Sequence, residues 1–147
     1  MAILVAGMNQ TMDAFAPLQV AIVCNSRIAN ADVPDRLSND WKGEFGRLRD
    51  AINGIIDMVN RRSADIRGLI DGATGGKLDV RADLSRYPGY NGRMMSGINS
   101  LIDALVKPVH VTTGHLERIA RGDIPPKIAE AWPGELDRIR QALNTCI

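Results

Sequence analysis

The chain contains few aromatic residues, so large rings contribute little to any core that it forms. Only 4% of its 147 residues are Phe, Trp or Tyr, although 45% are hydrophobic overall. Compact cores usually include large rings, whereas helical bundles and coiled coils fill their seams with Leu, Ile, Val, Met and Ala. The composition therefore favours extended helical packing.

Three further features that the sequence lacks argue against certain partners and sites: a large net charge, closely spaced cysteines and a long apolar run. The net charge is only +1, with basic and acidic residues interleaved, so we expect no nucleic-acid partner. The two cysteines, Cys24 and Cys146, lie far apart without metal-ligand or redox spacing, which predicts small buried or half-buried apolar residues in a reducing compartment. No apolar run approaches the roughly 20 residues that span a bilayer, so we expect no membrane span in this chain.

A long-range internal repeat is the strongest signal in the sequence. Residues 27–56 and 118–147 are identical at thirteen of thirty positions, and five of the other seventeen are Val/Ile, Leu/Ile or Arg/Lys exchanges. Further upstream, Pro17 matches Pro108 at the same offset. The chain is therefore built from tandem units.

A shorter motif divides this repeat in two. An asparagine followed four residues later by an aspartate occurs as Asn9 with Asp13, Asn53 with Asp57 and Asn99 with Asp103, and Asn144 begins a fourth occurrence. The unit is thus about 45 residues long, and units of two types alternate. We expect units over 1–53, 54–97 and 98–147, of which the first is degenerate, the second divergent and the third truncated at its C-terminal end.

Heptad spacing predicts two long helices. Apolar residues recur at alternating steps of three and four from Phe45 to Leu69 and from Met95 to Ile119. This pattern predicts helices over about 43–71 and 90–120, and a shorter helix restarts near residues 134–135. Arg62 and Thr112 interrupt the seams. Either the coil is mildly imperfect, with Arg62 extending towards solvent, or the imperfections keep two helix packings close in free energy.

The segments between the helices are predicted to be extended connectors. Gly122 follows the second long seam where a left-handed helix cap is wanted, and the two prolines after Ile124 exclude a continuing helix. Ile124 and Ile128 remain apolar, so we expect them to pack against neighbouring helices. The middle unit has a different connector, in which Leu78 and either Val80 or Leu84 would be the anchors.

The first copy of the connector has no glycine at its cap. Ala31 stands where Gly122 stands in the later copy. A residue with a Cβ atom is expected to lose about 1 kcal/mol or more in the left-handed conformation of such a cap.

A helix, a connector with two apolar anchors and a second parallel helix cannot bury both of their seams alone. Two copies side by side make a parallel four-helix coiled coil. The pattern therefore predicts a homodimer through parallel helices.

These features resemble the HAMP domain, specifically the concatenated HAMP arrays of bacterial chemoreceptors and some sensor histidine kinases. The resemblance covers nearly the whole chain. Pro17 and Pro108 resemble the proline of the first helix, Gly122 the connector glycine, and Glu44 and Glu135 the glutamate that opens the second helix. The hydrophobic anchors of the connector would be Val33, Leu37, Leu78, Ile124 and Ile128.

The resemblance implies an all-α fold of parallel homodimeric four-helix bundles stacked in tandem. It further implies a cytoplasmic signal-relay module with flanking sensor and output modules in the same chain. The whole protein would then be a chemoreceptor-like, methyl-accepting chemotaxis protein. Such a protein can be an inner-membrane receptor, with this segment in its cytoplasmic part. Two alternatives stay open, a passive structural spacer or dimerisation coil and the HAMP array of a hybrid sensor histidine kinase.

Candidate chemical motifs are weak throughout the sequence. His115 next to Leu116 superficially resembles a phosphoacceptor histidine, but no ATP-binding half follows it. Residues 72–77 lack the glycine spacing and the Ser/Thr of a phosphate-binding loop, and a predicted helix precedes them instead of a strand. We expect no enzymatic activity, no catalytic residue, no cofactor and no metal.

Overall fold

The structure, a computed structural model, describes Met12 and residues 14–147. Its helices are α1 (Ala16–Ala29), α2 (Gly43–Thr74), α3 (Gly89–Ala120) and α4 (Leu136–Cys146). None of the described residues lies in a β-strand, and the predicted all-α class is confirmed. The first occurrence of the asparagine motif, Asn9 with Asp13, lies outside the described residues.

The chain divides into two compact bodies, Met1–Gly68 and Leu69–Ile147, which are distinct from the three repeat units of the sequence. In the first body, side chains of α1 and α2 form one buried cluster. Helix α1 contributes the small residues Ala21 and Cys24, and α2 contributes Ile52 and Ile56, which are almost fully buried. Each buried isoleucine is worth about 1.5–3 kcal/mol, so this cluster is the main apolar stabilisation of the first body.

The second compact body, Leu69–Ile147, is organised around α3. This helix contacts α4 and a 3₁₀ turn at Leu84–Arg86. Pro108 lies buried inside α3, where it lacks the N–H that would bond the preceding turn. Four residues later the hydroxyl of Thr112 donates to the Pro108 carbonyl at 2.8 Å. The polar group that interrupts the α3 seam is thus satisfied within its own helix.

The two long helices agree closely with their predicted ranges. Helix α2 extends to Thr74, three residues beyond the expected end, and α3 spans the predicted residues 90–120. Pro17 lies in the first turn of α1, where a missing N–H costs nothing, whereas Pro108 lies in a helix interior. No helix of the described chain is sufficiently long and apolar to cross a membrane. The boundaries of the three units, at 53/54 and 97/98, stay predictions.

Candidate functional site

Three turns of one type close the first helix of each repeat. Their cap residues, Ala31, Gly76 and Gly122, have φ angles of 60°, 78° and 77°. The N–H of Ala31 donates to the carbonyl of Ile28 at 3.0 Å, and that of Gly122 donates to Ile119 at 2.9 Å. The next N–H along the chain also returns to the helix, which completes a Schellman motif. Ala31 therefore holds the left-handed conformation that glycine adopts in the other two turns.

An ion pair strengthens the first and third of these turns. Arg27 binds Asp32 through Nε at 2.6 Å and through a second nitrogen at 3.1 Å, and Arg118 binds Asp123 at the same two distances. The hydrogen bonds from the guanidinium group lower the pKa of Asp32 and of Asp123 below their ordinary value. The middle turn has Gly72 and Lys77 at the equivalent positions, so it does not have this pair.

A second set of left-handed glycines lies at or just before the start of each second helix. Gly43, Gly89 and Gly134 have φ angles of 56°, 62° and 55°. Glu44 follows the first of them and is exposed, with an ion pair to Arg47 at 3.1 Å. Glu135 is the N-cap residue of α4, but its side chain makes no capping hydrogen bond. The two predicted glutamates thus lie at the expected turn without binding the connector.

The repeated asparagines bind the connectors through both ends of their amide groups. Asn53 Oδ1 accepts from the Leu37 N–H at 2.7 Å, and its Nδ2 donates to the Leu37 carbonyl at 3.0 Å. Asn99 binds Ala82 in the same way at 2.8 and 3.0 Å, and Asn144 binds Ile128 at 2.8 and 3.0 Å. In each case the second helix of a unit binds the backbone N–H and carbonyl of one residue, 16 or 17 positions upstream.

The aspartate of the motif adds a second link to the connector. Asp57 forms an ion pair with Arg36, and Asp103 accepts from Arg81 at 2.6 and 2.8 Å. Each arginine directly precedes the residue that the asparagine binds. We call each asparagine, together with its aspartate where one follows, a clasp. Its contacts explain physically why asparagine and aspartate recur four residues apart.

The clasps identify the second anchor of each connector. Leu37 and Ile128 are the predicted anchors of the first and third units, and both are half-buried. In the middle unit the clasped residue is the buried Ala82. Val80 and Leu84, the candidates predicted there, are 37% and 41% exposed within one chain and are not clasped, and a packing role for either stays a prediction.

The first anchors differ in how far a single chain buries them. Val33 and Leu78 are half-buried within one chain. Ile124 is 58% exposed within one chain, although the neighbouring Pro125 is fully buried. A packing role for Ile124 therefore stays a prediction.

An aromatic residue recurs in each connector at a position that was not predicted from the sequence. Trp41, Tyr87 and Trp132 follow the clasped residue by four or five positions. A Cβ atom on Gly46 would lie 2.7 Å from the Trp41 carbonyl, and one on Gly92 would likewise meet the Tyr87 carbonyl. Spacing could have revealed this position, because three of the six aromatic residues of the chain fall on it.

In the third unit a carboxylate binds the connector at the corresponding position of the second helix. Asp137 occupies the position of Gly46 and Gly92 and accepts the Trp132 N–H at 3.0 Å. Hydrogen bonds from Arg140, from this N–H and from Gln141 hold the pKa of Asp137 far below its ordinary range. Arg140 also donates to the Ile128 carbonyl at 3.2 Å, so it links the helix to the clasped residue.

Helix α3 takes part in two successive repeats. Its first half carries Asn99 and Asp103, which clasp the middle connector. Its second half packs against α4 and ends at the turn with Gly122. A change in the position of this helix therefore acts on two connectors.

The fold and the clasps define a class of tandem helix–connector–helix modules whose long helices are shared between neighbours. The model of the HAMP domain family matches residues 2–61 and again residues 86–147. The chain therefore belongs to the HAMP domain family. No solved structure matches the chain. HAMP domains are non-catalytic signalling modules that relay signals in receptors.

Proposed function

We propose that this chain relays a conformational signal along stacked HAMP bundles in a chemoreceptor-like protein of the methyl-accepting chemotaxis type. The observation that carries the proposal is the double role of α3, which clasps one connector and forms the first helix of the next repeat. Displacement of such a helix changes the packing of both modules at once. A relay needs this coupling, and it needs two packings within a few kcal/mol of each other.

The proposed bundle is a parallel homodimer in the cytoplasm, and the unpaired seams of a single chain support it. Leu105 is 53% exposed and Leu116 is 51% exposed, although both occupy seam positions of α3. Beside them an open groove of about 510 Å³ lies between α3 and α4, with Leu116, Ile139 and Leu143 in its lining. The helices of a second copy would cover this apolar surface.

Cysteine cross-linking tests the homodimer. Leu105→Cys or Ile98→Cys is introduced after Cys24→Ala and Cys146→Ser remove the native thiols. Mild oxidation should link two chains at each seam position, because a parallel, in-register pair brings identical residues together. His110→Cys is the matched control, since His110 is exposed on the same helix outside the seam. Absence of linkage at both seam positions, or equal linkage at position 110, would overturn the homodimer.

The relay is distinguished from a passive spacer by repairing the seams. The chain is placed between the sensing and output halves of a receptor, and Arg62→Leu and Thr112→Val are compared with the unaltered chain. A relay should change its output when the seam becomes uniformly apolar, because one packing is then favoured. An unchanged output would support the spacer.

The type of parent protein is tested separately. The chemoreceptor proposal expects a methylated helical bundle and a kinase-contacting hairpin in the parent polypeptide, while a histidine kinase core there would support the hybrid-kinase alternative. Sequencing the parent transcript distinguishes the two.

A further inference from the structure

We propose that Asn53, Asn99 and Asn144 are positioning residues that make each connector move with the second helix of its module. Each module then has two moving parts, the first helix on one side and the connector with the second helix on the other. This inference deepens the relay proposal and rests on it for its consequence, but the coupling itself is a property of the chain that can be measured without any output.

The chemistry of the clasp fixes the register of the connector. An extended segment outside a sheet has no neighbouring strand to satisfy its N–H and carbonyl groups. A primary amide presents one acceptor and one donor side by side, as a paired residue of a neighbouring strand does, so it replaces that strand. Because both ends of the amide bind one residue, a shift of the connector by a single position would break both hydrogen bonds. Asn53 is only 5% exposed, which makes such a loss costly.

The third module shows where the directional contacts of a connector go. The Ile128 N–H and carbonyl bind Asn144, the same carbonyl accepts from Arg140, and the Trp132 N–H binds Asp137. These are the hydrogen bonds that the structure gives to residues 124–132, and all of them run to α4. The connector is therefore tied to the second helix by bonds that depend on distance and angle.

Contacts with the first helix are of another kind. In the first module the anchors Val33 and Leu37 pack against the buried cluster that Ala21 and Cys24 of α1 form with Ile52 and Ile56 of α2. Apolar contacts are non-directional, so two such surfaces slide past one another at a small cost compared with breaking the clasp. Beyond this packing, the cap turn at Ala31 joins α1 to the connector covalently. Directional bonds to α1 reach only as far as Asp32, through its N–H and its ion pair with Arg27, so the joint between the two parts lies after this residue.

Amide hydrogen exchange on the full chain tests the proposal. In Asn53→Ala the Leu37 amide loses its acceptor, and its exchange should accelerate about tenfold, the factor expected for one lost hydrogen bond. Asn60→Ala is the matched control, because Asn60 is an exposed asparagine on the same helix. It should leave the Leu37 amide unchanged. Protein concentration is held constant so that dissociation does not contribute.

The pattern of exchange separates positioning from a merely structural role. A positioning role accelerates exchange in the connector while the amides of Ile52 and Ile56 keep their protection. Equal acceleration at all these amides, or no change at Leu37, would overturn the proposal. Should Asn53→Ala fail to fold, the half-buried Asn99 provides a second test. Asn99→Asp retains the acceptor for the Ala82 N–H and should protect that amide, whereas Asn99→Ala should not.

Distance distributions between spin labels measure the two moving parts directly. Labels on the exposed residues Ser38 and Ala51 report connector to second helix, and labels on Ser38 and Gln19 report connector to first helix. Labelled chains lack the native cysteines and are diluted with unlabelled chains. The Ser38–Ala51 distribution should be the narrower one and should broaden in Asn53→Ala but not in Asn60→Ala. Equal widths of the two distance distributions in the chain with Asn53 intact, or no broadening in Asn53→Ala, would contradict the proposal. If both distributions behave as expected but the chain relays no signal, only the proposed function is contradicted.

Discussion

Replacing Ala31 by glycine should stabilise the first module. Ala31 caps α1 at a φ of 60°, in a turn whose hydrogen bonds match those of the turn at Gly122. The backbone is therefore already in the conformation that glycine prefers, and only the Cβ atom of Ala31 opposes it. Gly122→Ala is the reverse change in an equivalent turn.

The magnitude follows from two opposing terms. The left-handed conformation costs a residue with a Cβ atom about 1–2 kcal/mol. Glycine also has more conformational freedom in the unfolded chain, and this offsets about 0.4–1 kcal/mol of the stability gained by removing the Cβ atom. We expect Ala31→Gly to raise the free energy of unfolding by about 0.5–1 kcal/mol, and Gly122→Ala to lower it by a similar amount. A Cβ on Gly122 would meet nothing within 4 Å, so its cost is purely conformational.

Urea unfolding followed by tryptophan fluorescence measures the effect. In a Trp132→Phe background, Trp41 alone reports the first module, which separates its transition from that of the third. Ala29→Gly, at the last residue of α1, is the control, and it should destabilise because glycine weakens a right-handed helix. If Ala31→Gly destabilised the module as Ala29→Gly does, the left-handed cap at position 31 would be refuted.

Two further predictions concern the junction between connector and second helix. Gly46→Ala should lower the free energy of unfolding, because its Cβ would lie 2.7 Å from the Trp41 carbonyl. Gly54→Ala, in open space on the same helix, should raise the free energy of unfolding by about 0.8–1 kcal/mol. Equal urea midpoints for the two variants would contradict this prediction. The depressed pKa of Asp137 means that its stabilising contacts are complete above its ordinary pKa of 3.8 and are lost as the pH falls below it. Asp137→Asn should therefore flatten the acid limb of a Tm profile between pH 7 and pH 2, and an unaltered limb would show that these contacts do not stabilise the fold.

The helices could be predicted from the sequence because their signal lies in the side chains themselves. The seam from Met95 to Ile119 defines one face of α3, and a heptad repeat of that length has no other regular structure that buries it. The cap turns were equally accessible, since Gly122 and Ala31 occupy matching positions in the long repeat. Periodicity and repeat length therefore sufficed for the two long helices and their cap turns, whereas the family was indicated by resemblance.

The clasp could not be predicted in this way. Asn53 and Asn99 were visible as a repeated pair, but their partners are backbone groups, which are the same at every position and leave no trace in the sequence. Ala82 was not predicted to be the clasped residue for a related reason: a small side chain does not indicate burial, and the hydrogen bonds from Asn99 define its role. The distances across the connector, rather than any residue pattern, reveal what the motif does.

Because the clasp binds the backbone N–H and carbonyl of a residue, its hydrogen bonds place almost no demand on the side chain of that residue. Leucine, alanine and isoleucine occupy the clasped position in the three repeats of this one chain. Connectors are thus free to drift in sequence while their attachment to the second helix persists. An array of this kind can diversify its units by duplication, and a connector transplanted from one unit to another should find its register again without compensating changes.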